Sequence, residues 1–340
     1  MDRPTKVGQL LMVAVAAGQA DPPAPANRPG SLGGYLLLGG WSSIAAVSAR
    51  TRVWKRKATR GVDPLVAADQ EGGRVQQLRG AGFTTLPTGE SQGRLSAADL
   101  NRLLSRAGRE LRTAGVTVNL APVADTVPED VGTRNAPIGR FSRQFGSDPG
   151  AVARTVTTAV RALQAGRVAA TVKHFPGLGR IRGNTDVTAV SITDVRTDAA
   201  DPHLQPFRAG IAAGAKLVMV SSARYPRLDP KHQAVFSPAV IDGLLRRRLG
   251  FRGVVISDDI GAARAVAGIP VGQRAVRFVS AGGDMVITVR GADVRPMASA
   301  LLSAADRDPG LARRIDASAR RVLTLKADLG LLSCATPGRV

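Results

Sequence analysis

The chain has 340 residues, 44% of them hydrophobic and 21% charged, which is the composition of an ordinary globular protein. The net charge of +21 favours anionic partners, but the charges are spread along the chain beside no nucleic-acid-binding motif, so we expect a solvated basic surface and no nucleic-acid partner. The single cysteine, Cys334, excludes an intrachain disulfide and a cysteine-based metal site, and no apolar stretch reaches the roughly 18 residues that span a membrane.

Eight short apolar runs recur along the chain, and each is followed by a helical or loop stretch. They are apolar nearly throughout and rich in β-branched residues, which is typical of strands buried on both faces. The predicted strands are Leu10–Val15, Tyr35–Leu38, Leu65–Ala68, Val116–Val123, Ala169–His174, Leu217–Ser221, Gly253–Ser257 and Asp284–Val289.

Strands that alternate with helices predict a parallel sheet, and eight such units predict closure into a single (β/α)8 barrel of the α/β class. We expect the barrel to occupy residues 1–332, with a tail at 333–340. Residues 18–33 are too rich in proline and glycine for a helix, so a doubly wound open sheet is the alternative. The predicted helices include Ala97–Thr113, Pro149–Gln164, Pro238–Leu249 and Val271–Ala281.

Residues 9–17 form an apolar stretch after Arg3 and Lys6, an arrangement faintly similar to a short signal sequence. Their place as the first of eight strand-like runs favours a buried strand instead. The expected location is therefore cytoplasmic, with export by a leader upstream of this sequence as the alternative.

Polar clusters follow four of the predicted strands, at the end where barrel enzymes carry their reactive groups. They are Asp69–Arg74 (DQEGGR), Asp125, Lys173–Gly177 (KHFPG) and Ser257–Asp259 (SDD). Each has a structural explanation by itself, because paired glycines can shape a turn and a carboxylate can cap a helix. Their convergence on one rim predicts a pocket of carboxylates and cations that suits a polyhydroxylated ligand.

Three of these segments resemble motifs of the bacterial β-N-acetylhexosaminidase branch of glycoside hydrolase family 3. They are DQEGGRVQ at Asp69–Gln76, KHFPG and SDD, and the resemblance runs in order from about Gly8 to Gly330. It implies a single barrel that acts on terminal N-acetylglucosamine, including fragments of the cell wall, and needs no metal or organic cofactor.

By this resemblance Asp258 is the nucleophile of a retaining mechanism, and the residues that bind the sugar are Asp69, Arg143, Lys173 and His174. A retaining glycosidase needs one carboxylate that attacks the anomeric carbon and a second group that protonates the leaving oxygen and later activates water. The nucleophile must be ionised. Lys173 and Arg143 could lower the pKa of Asp258, or they could compensate carboxylates that contact the sugar, such as Asp69.

The family's acid/base group is a histidine, which lies in an Asp-Ser-His segment of the loop after KHFPG. In this chain the loop at residues 178–188 contains no histidine. An ungapped alignment puts Asp186 at the histidine position, where a carboxylic acid with a raised pKa could do the same work. A shifted alignment instead puts Thr188 there, and a threonine could not serve as the acid.

The sequence thus predicts a glycosidase that releases a terminal β-linked sugar in cell-wall or glycan turnover, with Asp258 and Asp186 as the catalytic pair. The alternative is a sugar-binding homologue with little or no turnover, because the family's acid/base histidine is absent while the nucleophile motif is intact. The expected partner is a carbohydrate substrate, and we expect a monomer.

Overall fold

Eight parallel strands form a closed barrel in the computed structural model, which describes residues 1–25 and 32–333. Strands that are consecutive in the chain are neighbours in the barrel, and the last strand pairs with the first, where Leu11 lies beside Val286. The strands are β1 (Leu11–Val15), β2 (Gly34–Leu37), β3 (Leu65–Ala68), β4 (Val118–Asn119), β5 (Ala169–Phe175), β6 (Leu217–Val220), β7 (Val254–Asp259) and β8 (Met285–Thr288).

The predicted barrel is confirmed, and the open-sheet alternative is wrong because β1 pairs with both β2 and β8. The prediction for the fourth strand, Val116–Val123, is too long, since β4 spans only two residues. Pro122 has no N–H to donate, so the regular ladder ends before it, and pairing resumes as an isolated bridge between Val123 and Lys173.

Helices surround the barrel, and the predicted helix at Ala97–Thr113 begins and ends where expected. Of the helices in the described ranges, none is long and apolar enough to cross a membrane. The helices are α1 (Arg3–Gln9), α2 (Ile44–Lys57), α3 (Gly89–Gly93), α4 (Ala97–Thr113), α5 (Pro149–Ala165), α6 (Gln205–Ala212), a π-helical segment (Ala239–Arg248), α7 (Val271–Ser280), α8 (Val294–Arg307) and α9 (Pro309–Asp328).

The connection from β1 to β2 has no α-helix in its described part, as the proline and glycine content predicts. Residues 26–31 of this connection lie outside the described residues, and so do residues 334–340 of the predicted tail. The boundary between the barrel and the tail stays a prediction.

Side chains on the strands alternate between the interior of the barrel and the surrounding helices. On β1, for example, Met12 belongs to the interior cluster, whereas Leu11 and Val13 belong to the cluster that packs against the helices. Near the chain's end Leu325 and Leu331 join the interior cluster. The interior is therefore a packed core and not a channel, and a ligand can enter only at an end of the barrel.

Lys326 is a fully buried charge-bearing residue near the end of α9. Its Nζ atom donates a hydrogen bond to Gln9 Oε1 at 2.6 Å. Burial lowers the pKa of Lys326 from 10.5 to about 7, and the charge of Asp63 offsets only part of this effect. The ammonium form is therefore disfavoured in the folded protein.

We predict that the free energy of unfolding of the wild type, relative to Lys326→Met, rises with pH between about 7 and 10.5. In this window the unfolded chain holds a proton on Lys326 that the folded protein has released, so raising the pH favours the folded state. The rise is at most about 5 kcal/mol, which is the free energy of the full pKa difference. Urea unfolding of both proteins across this range measures it, and a difference independent of pH would contradict the prediction.

Candidate active site

A cavity of about 410 Å³ opens at the carboxyl ends of the barrel strands. Its floor is the upper layer of the barrel interior and includes Leu36, Leu120, Met219 and Ile287. The structure brings together in its walls all six residues predicted from the sequence, namely Asp69, Arg143, Lys173, His174, Asp186 and Asp258.

Four charged side chains form a buried charge cluster at one side of the cavity: Asp69, Glu71, Arg143 and Lys173. Arg143 donates from Nε and Nη2 to the two carboxylate oxygens of Glu71, at 2.9 and 2.7 Å. Lys173 Nζ lies 2.5 Å from Glu71 Oε1 and 2.5 Å from Asp69 Oδ1. The side chains of Glu71 and Lys173 are only 5% and 2% exposed, so the cluster is shielded from water.

The ionisation of the buried charge cluster is fixed by its own members. Burial by itself would raise the pKa of Glu71, but the charges of Arg143 and Lys173 outweigh it and lower that pKa to about 2. Burial would likewise lower the pKa of Lys173, but the charges of Asp69 and Glu71 raise it. Glu71 and Lys173 are thus both charged at neutral pH, and the cluster pairs two basic with two acidic side chains.

His174 is oriented by Asp125, a fully buried carboxylate. The Nδ1 atom of His174 lies 2.7 Å from Asp125 Oδ2, and its Nε2 atom lies 3.4 Å from Nη2 of Arg143. Asp125 Oδ1 also accepts the backbone N–H of Leu178 at 2.7 Å. One carboxylate therefore fixes both the imidazole ring and the start of the loop that carries Asp186.

The two glycines after β3 are required by the backbone. Gly72 and Gly73 have φ values of +117° and +55°, and a Cβ atom on Gly72 would lie 2.2 Å from the carbonyl oxygen of Pro87. The interpretation that these two glycines shape a turn is therefore confirmed. The hairpin they shape is tied to β4, because Asn119 Oδ1 accepts the N–H of Gln70 at 3.1 Å.

The two aspartates of the SDD motif have different roles. Asp259 accepts the backbone N–H groups of Gly261 and Ala262, at 2.9 and 3.0 Å, and so caps the turn after β7. Asp258 accepts the neighbouring N–H of Asp259 at 2.9 Å and lines the cavity. The capping role that the sequence allows for this motif thus belongs to Asp259.

The pKa of Asp258 is raised, because burial outweighs the charges of His174 and Lys173 that favour its ionised form. Lys173 does act to lower this pKa, which was one of the two alternatives, but its effect is smaller than that of burial. Both cations are paired with the carboxylates of the buried charge cluster, which was the other alternative.

The loop after β5 brings Asp186 to the mouth of the cavity. The carbonyl oxygens of Asp186 and Thr185 accept the backbone N–H groups of Arg264 and Ala265, each at 3.0 Å. Asn184, Thr185 and Asp186 line the cavity, whereas the Thr188 hydroxyl accepts the N–H of Val190 and is not part of the lining. This arrangement favours the alignment that puts Asp186, not Thr188, at the acid/base position.

Asp186 has an unusual environment for an aspartate. The residue is exposed at the cavity mouth, yet protein atoms crowd its carboxylate. This desolvation, together with the negative charge of Asp258, raises the pKa of Asp186 to about 6. The carboxylate can therefore hold a proton at mildly acidic pH, which an unperturbed aspartate does not.

Two residues of the site were not predicted as site residues. Glu71 lies inside the DQEGGRVQ motif, but it does not line the cavity and acts through Lys173 and Arg143. Asp125 was singled out only by its place after a strand. In the described ranges no group of three or more His, Cys, Asp or Glu side chains is placed to hold a metal ion.

A parallel (β/α)8 barrel that holds two carboxylates in a cavity at the carboxyl ends of its strands, beside other charged groups, is an arrangement typical of glycosidases. The sequence profile described as the Glycosyl hydrolase family 3 N terminal domain matches residues 4–325. The chain therefore belongs to glycosyl hydrolase family 3, and the family predicted from the three motifs is confirmed.

Relatives in this family include a Beta-hexosaminidase of Stenotrophomonas maltophilia, 39% identical over 232 residues. This alignment covers 66% of the present chain and 66% of the relative, just under two thirds of its length. A Beta-hexosaminidase of Xanthomonas oryzae is 38% identical over 257 residues, covering 74% of this chain and 73% of the relative. The crystal structure of a Beta-N-acetylhexosaminidase from Beutenbergia cavernae has a TM-score of 0.92 and 39% identity, covering 96% of this chain and 99% of that chain.

We predict that Glu71→Gln lowers the free energy of unfolding by about 3 kcal/mol or more, because it leaves Lys173 and Arg143 buried with one carboxylate fewer. The matched control is Glu90→Gln, which removes an exposed pair with Arg94 and should change stability by at most about 0.5 kcal/mol. Urea unfolding at neutral pH measures both changes. Equal effects of the two substitutions would contradict the central role of Glu71.

Proposed function

We propose that this chain is a retaining glycosidase that releases a terminal β-linked N-acetylhexosamine, with Asp258 as nucleophile and Asp186 as acid/base. The observation that carries the proposal is the pair of carboxylates in one cavity, each with a raised pKa. The charge of Asp258 raises the pKa of Asp186, and His174 acts on both groups. Two carboxyl groups whose environments differ are what such a mechanism needs.

The proposed reaction begins with one proton on the two carboxyl groups, held by Asp186. Asp258 lies deeper, where burial raises its pKa and His174, Lys173 and the N–H of Asp259 counteract part of that effect. Asp186 lies at the mouth, where desolvation and the charge of Asp258 favour its protonated form. The proposal puts the single proton of the pair on Asp186, which makes Asp186 the acid and leaves Asp258 as the free carboxylate.

In the first step an oxygen of Asp258 attacks the anomeric carbon while Asp186 gives its proton to the departing oxygen. The bond to the aglycone breaks, and the sugar becomes an ester of Asp258. That ester has no charge, so the repulsion that raised the pKa of Asp186 disappears. Asp186 is then a base, takes a proton from water, and the resulting hydroxyl forms the new bond to the sugar as Asp258 departs.

The buried charge cluster supplies the groups that bind the sugar. Asp69 can accept a hydrogen bond from a sugar hydroxyl, and Arg143 and Lys173 can donate to sugar oxygens. The names of the relatives, Beta-hexosaminidase and Beta-N-acetylhexosaminidase, support an N-acetylhexosamine as the sugar. A role in cell-wall or glycan turnover, and a monomeric state, are part of the same proposal.

Asp258→Asn should abolish turnover of nitrophenyl β-N-acetylglucosaminide, because an amide does not form the glycosyl ester. Asp186→Ala should keep part of its kcat/KM on this activated substrate, whose leaving group needs little protonation, and added azide should restore turnover by replacing water as the nucleophile. A matching β-glucoside tests the choice of sugar. Binding of N-acetylglucosamine without turnover of any glycoside would instead support a sugar-binding homologue.

The wild-type kcat/KM for an unactivated substrate should follow a bell-shaped pH profile. It should fall as the pH rises through about 6, because Asp186 loses its proton, and fall at low pH, because Asp258 gains one. Asp186→Ala should remove the alkaline limb and keep the acidic one. An alkaline limb that survives this substitution would exclude Asp186 as the acid.

A further inference from the structure

The loop that carries Asp186 is held by a short backbone segment after β7, residues 262–266, which we call the anchor segment. Arg264 and Ala265 of this segment donate their N–H groups to the carbonyl oxygens of Asp186 and Thr185, both at 3.0 Å. The position of the Asp186 carboxylate in the cavity therefore depends on where the anchor segment lies.

The anchor segment has open space on both of its sides. Ala262 and Ala263 line the active-site cavity, and Ala265 and Val266 line a neighbouring groove of about 660 Å³. Two of its side chains, Ala263 and Val266, are buried in the hydrophobic core, and hydrogen bonds to its backbone add to this restraint.

Two buried side chains provide these hydrogen bonds from the rest of the fold. Arg274 holds the flanks of the segment, because it donates to the carbonyl oxygens of Gly261 at 2.6 Å and Ile269 at 2.7 Å. Gln233 holds the middle, because its Nε2 atom donates to the carbonyl oxygen of Ala265 at 2.8 Å.

Gln233 is well placed to fix the segment against the barrel. Its side-chain amide donates a second hydrogen bond to the carbonyl oxygen of Ser222, at 2.9 Å, just beyond the end of β6. The residue is 6% exposed, and its backbone is itself bridged to Arg224. Both N–H donors of one amide are thus used to join the β6 rim to the anchor segment.

We infer that Gln233 is a positioning residue for the acid/base step, which acts on Asp186 through Ala265 and the backbone of the loop. The inference rests on the proposed role of Asp186. A change at Gln233 should displace the loop, so that Asp186 donates its proton less effectively, while Asp258 and the sugar-binding groups stay in place.

The test uses Gln233→Leu, which keeps the approximate size of the side chain and removes both donors. The kcat/KM for nitrophenyl β-N-acetylglucosaminide should change little, and that for an unactivated N-acetylglucosamine disaccharide should fall about tenfold or more, because only the latter needs proton donation to its leaving group. The alkaline limb of the pH profile should also move, because the pKa of Asp186 depends on its surroundings.

The matched control is Gln76→Leu. Gln76 is buried, and its Nε2 atom also donates to two carbonyl oxygens, those of Leu78 and Thr84, but in the hairpin after β3. Its loss should lower stability to a similar extent and leave the ratio of the two kcat/KM values unchanged. If the two variants show the same ratio, the positioning role of Gln233 is overturned.

Hydrogen exchange gives a second readout that needs no activity. The N–H groups of Arg264 and Ala265 should exchange about tenfold faster in Gln233→Leu than in the wild type, and at the wild-type rate in Gln76→Leu. Unchanged protection in Gln233→Leu would overturn the inference by itself. If the wild type hydrolyses neither substrate, the proposed function fails, and the exchange rates still decide whether Gln233 holds the loop.

Discussion

The salt bridges from Glu71 to Lys173 and Arg143 are the interaction on which the candidate site depends. They join three distant parts of the chain: the hairpin after β3, the strand β5, and the loop before α5. A single buried charge would be costly in this place, and the cost is offset only when all the partners are present. The side of the cavity that we propose binds the sugar therefore forms as a unit with the barrel rim.

The pairing of charges within the buried charge cluster also bears on the pKa values of Asp258 and Asp186, the proposed catalytic pair. If Lys173 and Arg143 were unpaired, their charges would lower the pKa of a nearby carboxyl group. Lys173, although paired with Asp69 and Glu71, still favours the ionised form of Asp258, but burial has the larger effect and raises its pKa. The cluster can thus present donors at the cavity while the pKa values of Asp258 and Asp186 both stay raised.

Much of this fold could be predicted from the sequence, because strands buried on both faces leave a strong apolar signal. The extent of β4 could not be predicted, since it depends on where the chain near Pro122 stops pairing with the neighbouring strand. Asp258 was found because its motif follows a strand. Glu71 was missed because motifs direct attention to groups that contact a ligand. Gln233 lies in no motif, and only its two hydrogen bonds reveal its place.

The proposed role of Asp186 as acid/base makes the site sensitive to geometry. A histidine has a pKa near 6.5 without any help, whereas an aspartate must be raised by about two pKa units from its ordinary value near 3.9. Here the rise comes from desolvation and from the charge of Asp258, and both effects weaken if the loop moves outward. A displaced loop would therefore carry an ionised Asp186 that is unable to donate a proton. Gln233 holds the middle of the anchor segment and Arg274 holds its flanks. This restraint is what the proposed role of Asp186 requires.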